Sequence, residues 1–335
     1  MTHLQAPLQT TASKVNDKPD PEAIFPKETS SDGKIWAFLL HLSVNMWKKY
    51  YPELQLSEPL WNDALEKMAE AGLNMVVIDL GDAIVYQSHP EIAVINAWST
   101  AKLQTELIKI RKLGLEPIPK MNFSTCHDAW LDDYGRMVST ERYYAVCRDL
   151  IHEVIDLFDQ PRFFHLGMDE ENASNQRDFD YMVIRQKELY WGDLYFLFGE
   201  VLKKGVRPWV WQDYIRYHPE TFARMMPKYV IQSNWYNNTD LEKPKSNYAK
   251  ISVQAYIDLE KLGYGQIPGG SNYYENTDQC FMNNVKFCTE RISDQNLLGF
   301  IQSPWKHTVE ENRKRILRSI PLAGEAKKWY DEHHK

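Results

Sequence analysis

A block of acidic residues follows an aromatic, apolar run near the middle of the chain, where residues 163–171 read FFHLGMDEE. An apolar run bounded by glycine and charge predicts a buried strand whose last residues leave the core. Carboxylates held close together raise at least one of their pKa values, and a carboxylic acid that keeps its proton near neutral pH can act as a general acid. The segment therefore predicts that one of the three carboxylates, Asp169, Glu170 or Glu171, acts as a general acid. The alternative is a solvated strand end that only caps the next helix.

The elements around this segment repeat in a fixed order. An amphipathic helix, a glycine, an apolar strand and a polar strand end recur about every forty residues, which is typical of successive βα units. The strands are predicted at residues 35–40, 73–78, 115–119, 163–170, 206–211, 229–233, 265–268 and 297–302. The pattern predicts an α/β fold, a single-domain (β/α)8 TIM barrel over residues 31–335. Residues 1–30 are polar and lack apolar periodicity, so we expect a disordered or surface arm there.

Active sites of such barrels lie at the C-terminal ends of the strands. Polar and aromatic residues are concentrated at these ends, and we expect them to form one pocket although they are far apart in the chain. The candidates for substrate binding are Asn122, His127, His165, Trp211, Asp213, Trp235, Tyr236, Tyr274 and Trp305. His165 is equally well interpreted as a hydrogen-bonded core histidine.

Composition limits the classes of molecule that the protein is expected to bind. The net charge is -7, which argues against nucleic acid or an acidic membrane surface. Eleven Trp and nineteen Tyr supply flat aromatic faces that suit sugar rings. The four cysteines have no metal or redox spacing, and we interpret them as free thiols. We expect no metal, no cofactor and no membrane span; the oligomeric state is open.

The N-terminus lacks the apolar run of a secretory signal. The expected compartment is therefore the cytoplasm, or the periplasm or exterior if a signal has been removed.

Residues 165–170, HLGMDE, resemble the His-x-Gly-x-Asp-Glu signature of the family 20 glycoside hydrolases, the β-N-acetylhexosaminidases. A looser similarity covers residues 35 to about 310. Trp211-Gln212-Asp213 is similar in position to a Trp-Asp-Glu run of that family, and Pro119 to His127 is similar to its Pro-Glu-x-Asp…His segment. Trp235 and Trp305 fall where further pocket tryptophans are expected.

The resemblance implies an exo-acting glycosidase that hydrolyses β-linked N-acetylhexosaminides with retention, by a substrate-assisted route outside the two-carboxylate scheme. Glu170 would protonate the departing oxygen, supported by a hydrogen bond from His127. Asp169 would orient and stabilise the 2-acetamido group, whose oxygen is the nucleophile. Trp211, Trp235 and Trp305 would surround the acetamido methyl group.

The sequence departs from the family where the sugar hydroxyls are recognised. Lys120 and Asn122 stand where the family has Glu and Asp, residues 41–47 offer no arginine, and residues 304–307 lack the Trp-x-Glu motif. A distant glycosidase of different specificity is therefore an open alternative.

Other mechanisms also fit the residues. A retaining glycosidase could use Glu170 as the acid and Glu275 as a protein nucleophile, with the carboxyl groups about 5–5.5 Å apart. A metal-dependent sugar isomerase or lyase could use His165, Asp169, Glu170, Asp213 and His307 as ligands. A non-catalytic sugar-binding barrel is the third alternative, although both acids are present.

Overall fold

The structure is a computed structural model that describes residues 33–46, 50–274 and 276–334. The predicted arm at residues 1–30, Trp47 and Glu275 lie outside the described residues. Eight parallel strands form the barrel: β1 Ile35–His41, β2 Met75–Asp79, β3 Glu116–Lys120, β4 Phe163–His165, β5 Arg207–Trp211, β6 Ile231–Ser233, β7 Gly269–Gly270 and β8 Gly299–Gln302. The predicted (β/α)8 barrel is confirmed. The fourth strand is shorter than predicted and ends at His165 rather than Glu170, because the positive φ values of Gly167, Met168 and Glu170 end the extended backbone.

The sheet order is β6-β5-β4-β3-β2-β1-β8-β7. Isolated parallel bridges join Gln232 to Gln266 and Trp235 to Gly269, which closes the sheet between β6 and β7. The register places Lys120 beside His165 and His165 beside Trp209. The C-terminal ends of β3, β4 and β5 therefore lie side by side.

Helices surround the barrel: α1 Glu58–Glu70, α2 Thr100–Lys112, α3 Glu141–Leu157, α4 Ala173–Gln176, α5 Glu188–Lys203, α6 Tyr214–Tyr217, α7 Pro219–Met225, α8 Asn247–Lys261, α9 Cys280–Arg291 and α10 Arg313–His333. Short 3-10 helices cover Pro90–Ile92, Ala129–Arg136 and Glu310–Asn312, and Ile84–Val85 pairs with Trp98–Ser99. Gly72 and Gly114 follow α1 and α2 with φ near +75°, as a glycine after a helix end does.

The strands are apolar on both faces because both are buried. In β1, alternate residues Ile35, Ala37 and Leu39 fill the barrel interior, where Ile118 and Trp209 also pack. The intervening Trp36, Phe38 and Leu40 belong to the layer between strands and helices. Two cores result, one inside the sheet and one around it.

All four cysteines are buried and free, as predicted. None of the helices in the described parts of the chain is long and apolar enough to span a membrane.

Candidate active site

The chain leaves β4 through an unusual backbone path. Gly167, Met168 and Glu170 all have positive φ values, of 73°, 78° and 62°. Such conformations cost free energy in residues other than glycine, and they recur at functional sites. The turn directs the side chains of Asp169, Glu170 and Glu171 to different surroundings.

Gly167 is required by the neighbouring strand end. A Cβ atom built on it would lie 2.0 Å from Oδ1 and 2.7 Å from Cα of Asn122. Its positive φ excludes other residues for a second reason. The glycine of the motif therefore allows the β4 turn to pack directly against Asn122.

Asn122 uses that closeness to hold Asp169. Its Nδ2 donates to Asp169 Oδ1 at 2.8 Å, and its Oδ1 accepts from the backbone N–H groups of Ser124 and Met168, both at 3.1 Å. Ser124 Oγ also donates to the Asp169 backbone carbonyl at 2.5 Å. Because both the amide nitrogen and the amide oxygen of Asn122 make hydrogen bonds, its side chain is held in one orientation and is suited to positioning Asp169.

Glu170 is paired with His127. The Nε2 of His127 lies 3.2 Å from Glu170 Oε2 and 3.5 Å from Asp169 Oδ2, while its Nδ1 contacts the Met46 carbonyl oxygen at 2.7 Å. That carbonyl can only accept, so Nδ1 carries a proton. Burial lowers the pKa of His127, but the charges of Asp169 and Glu170 outweigh burial and raise the pKa to about 9.

The expectation that the acid block raises the pKa of the catalytic acid is wrong for Glu170. Burial raises its pKa, but the hydrogen bond and positive charge of His127 outweigh burial, so the pKa lies below its usual value. The third carboxylate does not crowd the pair, because Glu171 is buried against Arg185 with Oε2 2.5 Å from Nη2. The extra proton of this site resides mainly on His127.

A cavity of about 660 Å³ opens at the C-terminal face of the barrel. Seven predicted site residues line it: Asn122, His127, Asp169, Glu170, Trp235, Tyr274 and Trp305. The indole N–H of Trp305 is buried and has no acceptor among the described residues. The structure thus brings together most of the residues that the sequence selected.

Four predicted residues do not line this cavity: His165, Trp211, Tyr236 and Asp213. His165 is fully buried between Trp209 and Trp211, its Nδ1 accepts from the Gly167 N–H at 3.0 Å, and burial holds its pKa well below the usual value. His165 is therefore a hydrogen-bonded core histidine, the second of the two interpretations that its sequence position allowed. Trp211 supports Trp305 from below, with ring centroids 5.3 Å apart.

Tyr236 is buried and directs its hydroxyl group to Asp240 at 2.7 Å, away from the cavity lining.

Asp213 contacts the backbone of Glu170. It accepts from the Glu170 N–H at 3.2 Å and pairs with Arg216 at 2.7 Å. Burial raises the pKa of Asp213 to about 6, with the charge of Arg216 opposing that rise. Asp213 therefore holds the backbone of the segment that carries Asp169 and Glu170.

Sequence reasoning missed a charged cluster at the ends of β1 to β3. Lys120 and Asp79 form a buried ion pair, and His41 Nδ1 lies 3.3 Å from Asp79 Oδ2. Burial lowers the pKa of His41, and burial of Asp79 is outweighed by the charge of Lys120, which lowers the Asp79 pKa. These residues meet only because the register of β1, β2 and β3 places them side by side. Their spacing in the sequence therefore did not predict the cluster.

Lys306 and His307 also line the cavity and were not selected from the sequence as sugar-binding residues. Burial lowers the pKa of His307 to about 4.

His127, Asp169 and Glu170 place one potential ligand atom each within 4.8 Å of one another. Nitrogen and oxygen donors of this kind suit several divalent ions. The proposed isomerase set is not assembled as predicted, because His165 is committed to the core and Asp213 to Arg216.

Solved structures with a similar barrel include three glycosidases. A chitobiase from Flavobacterium johnsoniae matches with a TM-score of 0.61 and 16% identity, over 85% of this chain and 47% of that one. An exo β-N-acetylglucosaminidase of family 20 from Vibrio harveyi matches with a TM-score of 0.62 and 12% identity, over 88% and 54%. A β-N-acetylhexosaminidase from Bacteroides fragilis matches with a TM-score of 0.61 and 14% identity, over 90% and 69%.

These likenesses show the fold. The chain has a (β/α)8 barrel like those of family 20 glycoside hydrolases, and it spans about half the length of the first two proteins. No protein-family model and no curated protein matches the chain.

Proposed function

We propose that the protein is an exo-acting glycoside hydrolase that removes β-linked N-acetylhexosamine from a carbohydrate substrate. The observation that carries this proposal is the convergence of the adjacent Asp169 and Glu170 with His127 in one cavity at the C-terminal face of the barrel. The barrels of the structural neighbours, which are named as a chitobiase, an exo β-N-acetylglucosaminidase and a β-N-acetylhexosaminidase, support the same class.

Asp169 and Glu170 have different tasks in this proposal. The acetamido oxygen of the substrate attacks the anomeric carbon, the glycosidic C–O bond breaks, and the departing oxygen takes a proton from Glu170. Asp169, held by Asn122, faces the acetamido N–H and stabilises the positive charge that develops there. Water, deprotonated by Glu170, then opens the cyclic intermediate, and the anomeric configuration is retained.

The proton that Glu170 donates comes from the pair it forms with His127. In the free site His127 holds the proton and Glu170 is ionised, because the two carboxylates raise the pKa of the histidine. An acetamido N–H that binds Asp169 takes up part of the charge that stabilises the histidinium. The proton then moves more readily across the 3.2 Å contact to Glu170. Such a coupled pair titrates as a unit.

The cavity walls fit a sugar with an apolar substituent. Trp235 and Trp305 line the same cavity as Asp169, and their rings can pack against an acetamido methyl group. Lys120 cannot replace the missing family carboxylate as a free group, because it is paired with Asp79. Hydroxyl recognition therefore falls to other lining residues, including Asn237 and Lys306.

A metal-dependent sugar isomerase or lyase is the second candidate, and the convergence of His127, Asp169 and Glu170 favours it. A metal ion would have to displace the proton of His127, whose pKa is about 9. Hydrolysis needs no such exchange. The two-carboxylate alternative depends on Glu275, which lies outside the described residues.

Aryl glycosides of N-acetylglucosamine, N-acetylgalactosamine, glucose and galactose test the proposal. Only the 2-acetamido sugars should be hydrolysed, and a thiazoline mimic of the cyclic intermediate should bind far more tightly than substrate. Asp169→Asn should weaken the mimic and slow turnover. Cleavage of plain hexosides, with covalent labelling of Glu275 by a 2-fluoro sugar, would instead establish a protein nucleophile.

A further inference from the structure

The cavity that holds Asp169 and Glu170 also contains a positive charge without an acidic partner. Lys306 lines this cavity of about 660 Å³, and it forms no ion pair with any carboxylate of the described residues. Its Nζ lies 4.6 Å from the centre of the Tyr273 ring, which is a cation–π contact. An ammonium group that has no counter-ion inside a cavity attracts anionic ligands.

The other basic side chains of the cavity are neutralised or uncharged. Lys120 is buried and forms an ion pair with Asp79. His127 contacts the two carboxylates at the end of β4. Burial lowers the pKa of His307 to about 4, so its ring is uncharged at neutral pH. This leaves Lys306 as the cation of the described lining that a charged ligand can neutralise.

The barrel places Lys306 across its mouth from the acidic segment. Lys306 follows β8, whereas Asp169 and Glu170 follow β4. The closed sheet joins these two strands by the paths β4-β3-β2-β1-β8 and β4-β5-β6-β7-β8, which are equally long. The ends of β4 and β8 therefore lie on opposite sides of the barrel, and a ring bound in the cavity lies between them.

The orientation of the sugar in the proposed function determines which of its atoms face Lys306. Glu170 acts on the glycosidic oxygen at C1, and Asp169 binds the acetamido group at C2. In a six-membered pyranose ring, C4 and C5 are opposite C1 and C2. The edge that carries C4 and the C6 substituent is therefore directed towards the end of β8.

The segment after β8 is held in a defined conformation. Trp305 has a positive φ of 49°, which is uncommon in residues other than glycine and recurs at functional sites. Its N–H donates to Ser303 Oγ at 3.3 Å. Asn312 Nδ2 donates to the His307 carbonyl oxygen at 3.0 Å. Lys306 thus extends from a fixed backbone, which reduces the entropy lost when its side chain is ordered by a ligand.

We propose that the sugar removed by this protein carries one negative charge, as a sulfate ester or a carboxylate at C6, and that Lys306 selects for that charge. The inference rests on the proposed function and names the substrate more closely. A single cation without an acidic partner matches a monoanion. Sulfate esters and carboxylates both offer oxygen acceptors for charge-assisted hydrogen bonds from an ammonium group.

The test compares kcat/KM for three aryl β-glycosides, each in the gluco and the galacto configuration: the neutral N-acetylhexosaminide, its 6-O-sulfate, and the 2-acetamido uronic acid, which has a carboxylate at C6. The wild type should hydrolyse one of the two anionic substrates about tenfold faster than the neutral one or better, and the preferred substrate identifies the group.

Lys306→Met keeps the aliphatic length and removes the charge. It should lower the ratio of anionic to neutral kcat/KM by about 10- to 100-fold, the effect of losing one hydrogen bond to a charged group. Lys306→Arg should retain most of the preference, because it keeps a cationic donor at the same position. A purely structural role of Lys306 would change kcat/KM for all three substrates equally.

Lys286→Met is the matched control. Lys286 also makes a cation–π contact, with the Trp329 ring at 5.2 Å, but it lies on α9 and outside the cavity lining. It should leave the ratio unchanged. A wild type that hydrolyses the neutral substrate as fast as both anionic ones, or an equal loss on all three in Lys306→Met, overturns the charge proposal alone. No hydrolysis of any of these glycosides overturns the proposed function as well.

Discussion

The pairing of His127 with Glu170 leads to a specific expectation for the variant His127→Gln. A glutamine side chain can still donate an amide N–H towards Glu170, but it carries no charge and cannot exchange the proton. The rise of the His127 pKa from 6.5 to about 9 corresponds to about 3 kcal/mol, or about two orders of magnitude in its protonation equilibrium. His127→Gln removes the group that holds this proton between Asp169 and Glu170.

The consequence should appear in the pH dependence of kcat/KM for glycosides with poor leaving groups. The wild type needs one proton on the pair, so its activity should persist until pH rises through about 9. In His127→Gln only Glu170 can hold that proton, and the basic limb should move to lower pH. Near pH 8 the variant's kcat/KM should fall below that of the wild type by a factor that approaches the ~10²- to 10⁴-fold contribution of general acid catalysis. At acidic pH the difference should be smaller.

His89→Gln is the control, because His89 also contacts carboxylates, Glu91 at 2.9 Å and Asp149 at 3.6 Å, but lies outside the cavity. Its profile should match the wild type. A basic limb that stays in place in His127→Gln, or a wild-type limb near neutral pH, would refute the reasoning.

Three other expectations concern the same site. Glu170→Gln should leave the fold intact and abolish turnover of substrates with poor leaving groups while sparing activated aryl glycosides; equal loss on both, measured by steady-state kinetics, would remove Glu170 from the acid role. Gly167→Ala should lower the free energy of unfolding by about 1–3 kcal/mol and reduce activity by displacing Asn122. Its control, Gly199→Ala, is in α5 with open space around the new Cβ and should stabilise the protein by about 0.5–1 kcal/mol in thermal denaturation. Exhaustive chelation should leave activity unchanged, whereas loss that a divalent ion restores would favour the isomerase or lyase.

The barrel could be predicted because each strand repeats the same local pattern. β1 was predicted at residues 35–40 and is found at Ile35–His41, since a run of large apolar residues has few alternatives. β7 was predicted at residues 265–268, but the strand proper is Gly269–Gly270, and Gln266 joins its neighbours through isolated bridges. Glycines provide no side-chain pattern, so its position depended on the closure of the sheet.

The acidic segment after β4 could be singled out from the sequence, but the partners of its three carboxylates could not be predicted. Three adjacent acids predicted mutual repulsion, whereas the fold gives each a different partner: Asn122 for Asp169, His127 for Glu170 and Arg185 for Glu171. Arg185 arrives from a loop and His127 from another strand end. Such partners depend on tertiary packing, which residue spacing does not encode.

The segment after β4 is closed at its base. Glu171 and Arg185 are fourteen residues apart in the chain and meet in a buried ion pair, so the residues between them form a closed loop. Asn172 and Asn175, at the start of this loop, donate to the Glu170 carbonyl oxygen at 2.9 and 3.2 Å, and Gln176 binds the backbone of Val183. Doubling the length of a flexible loop costs only about 0.6 kcal/mol in closure entropy. Residues 177–182 can therefore be exchanged or lengthened as a cassette while the contacts that hold Glu170 stay in place.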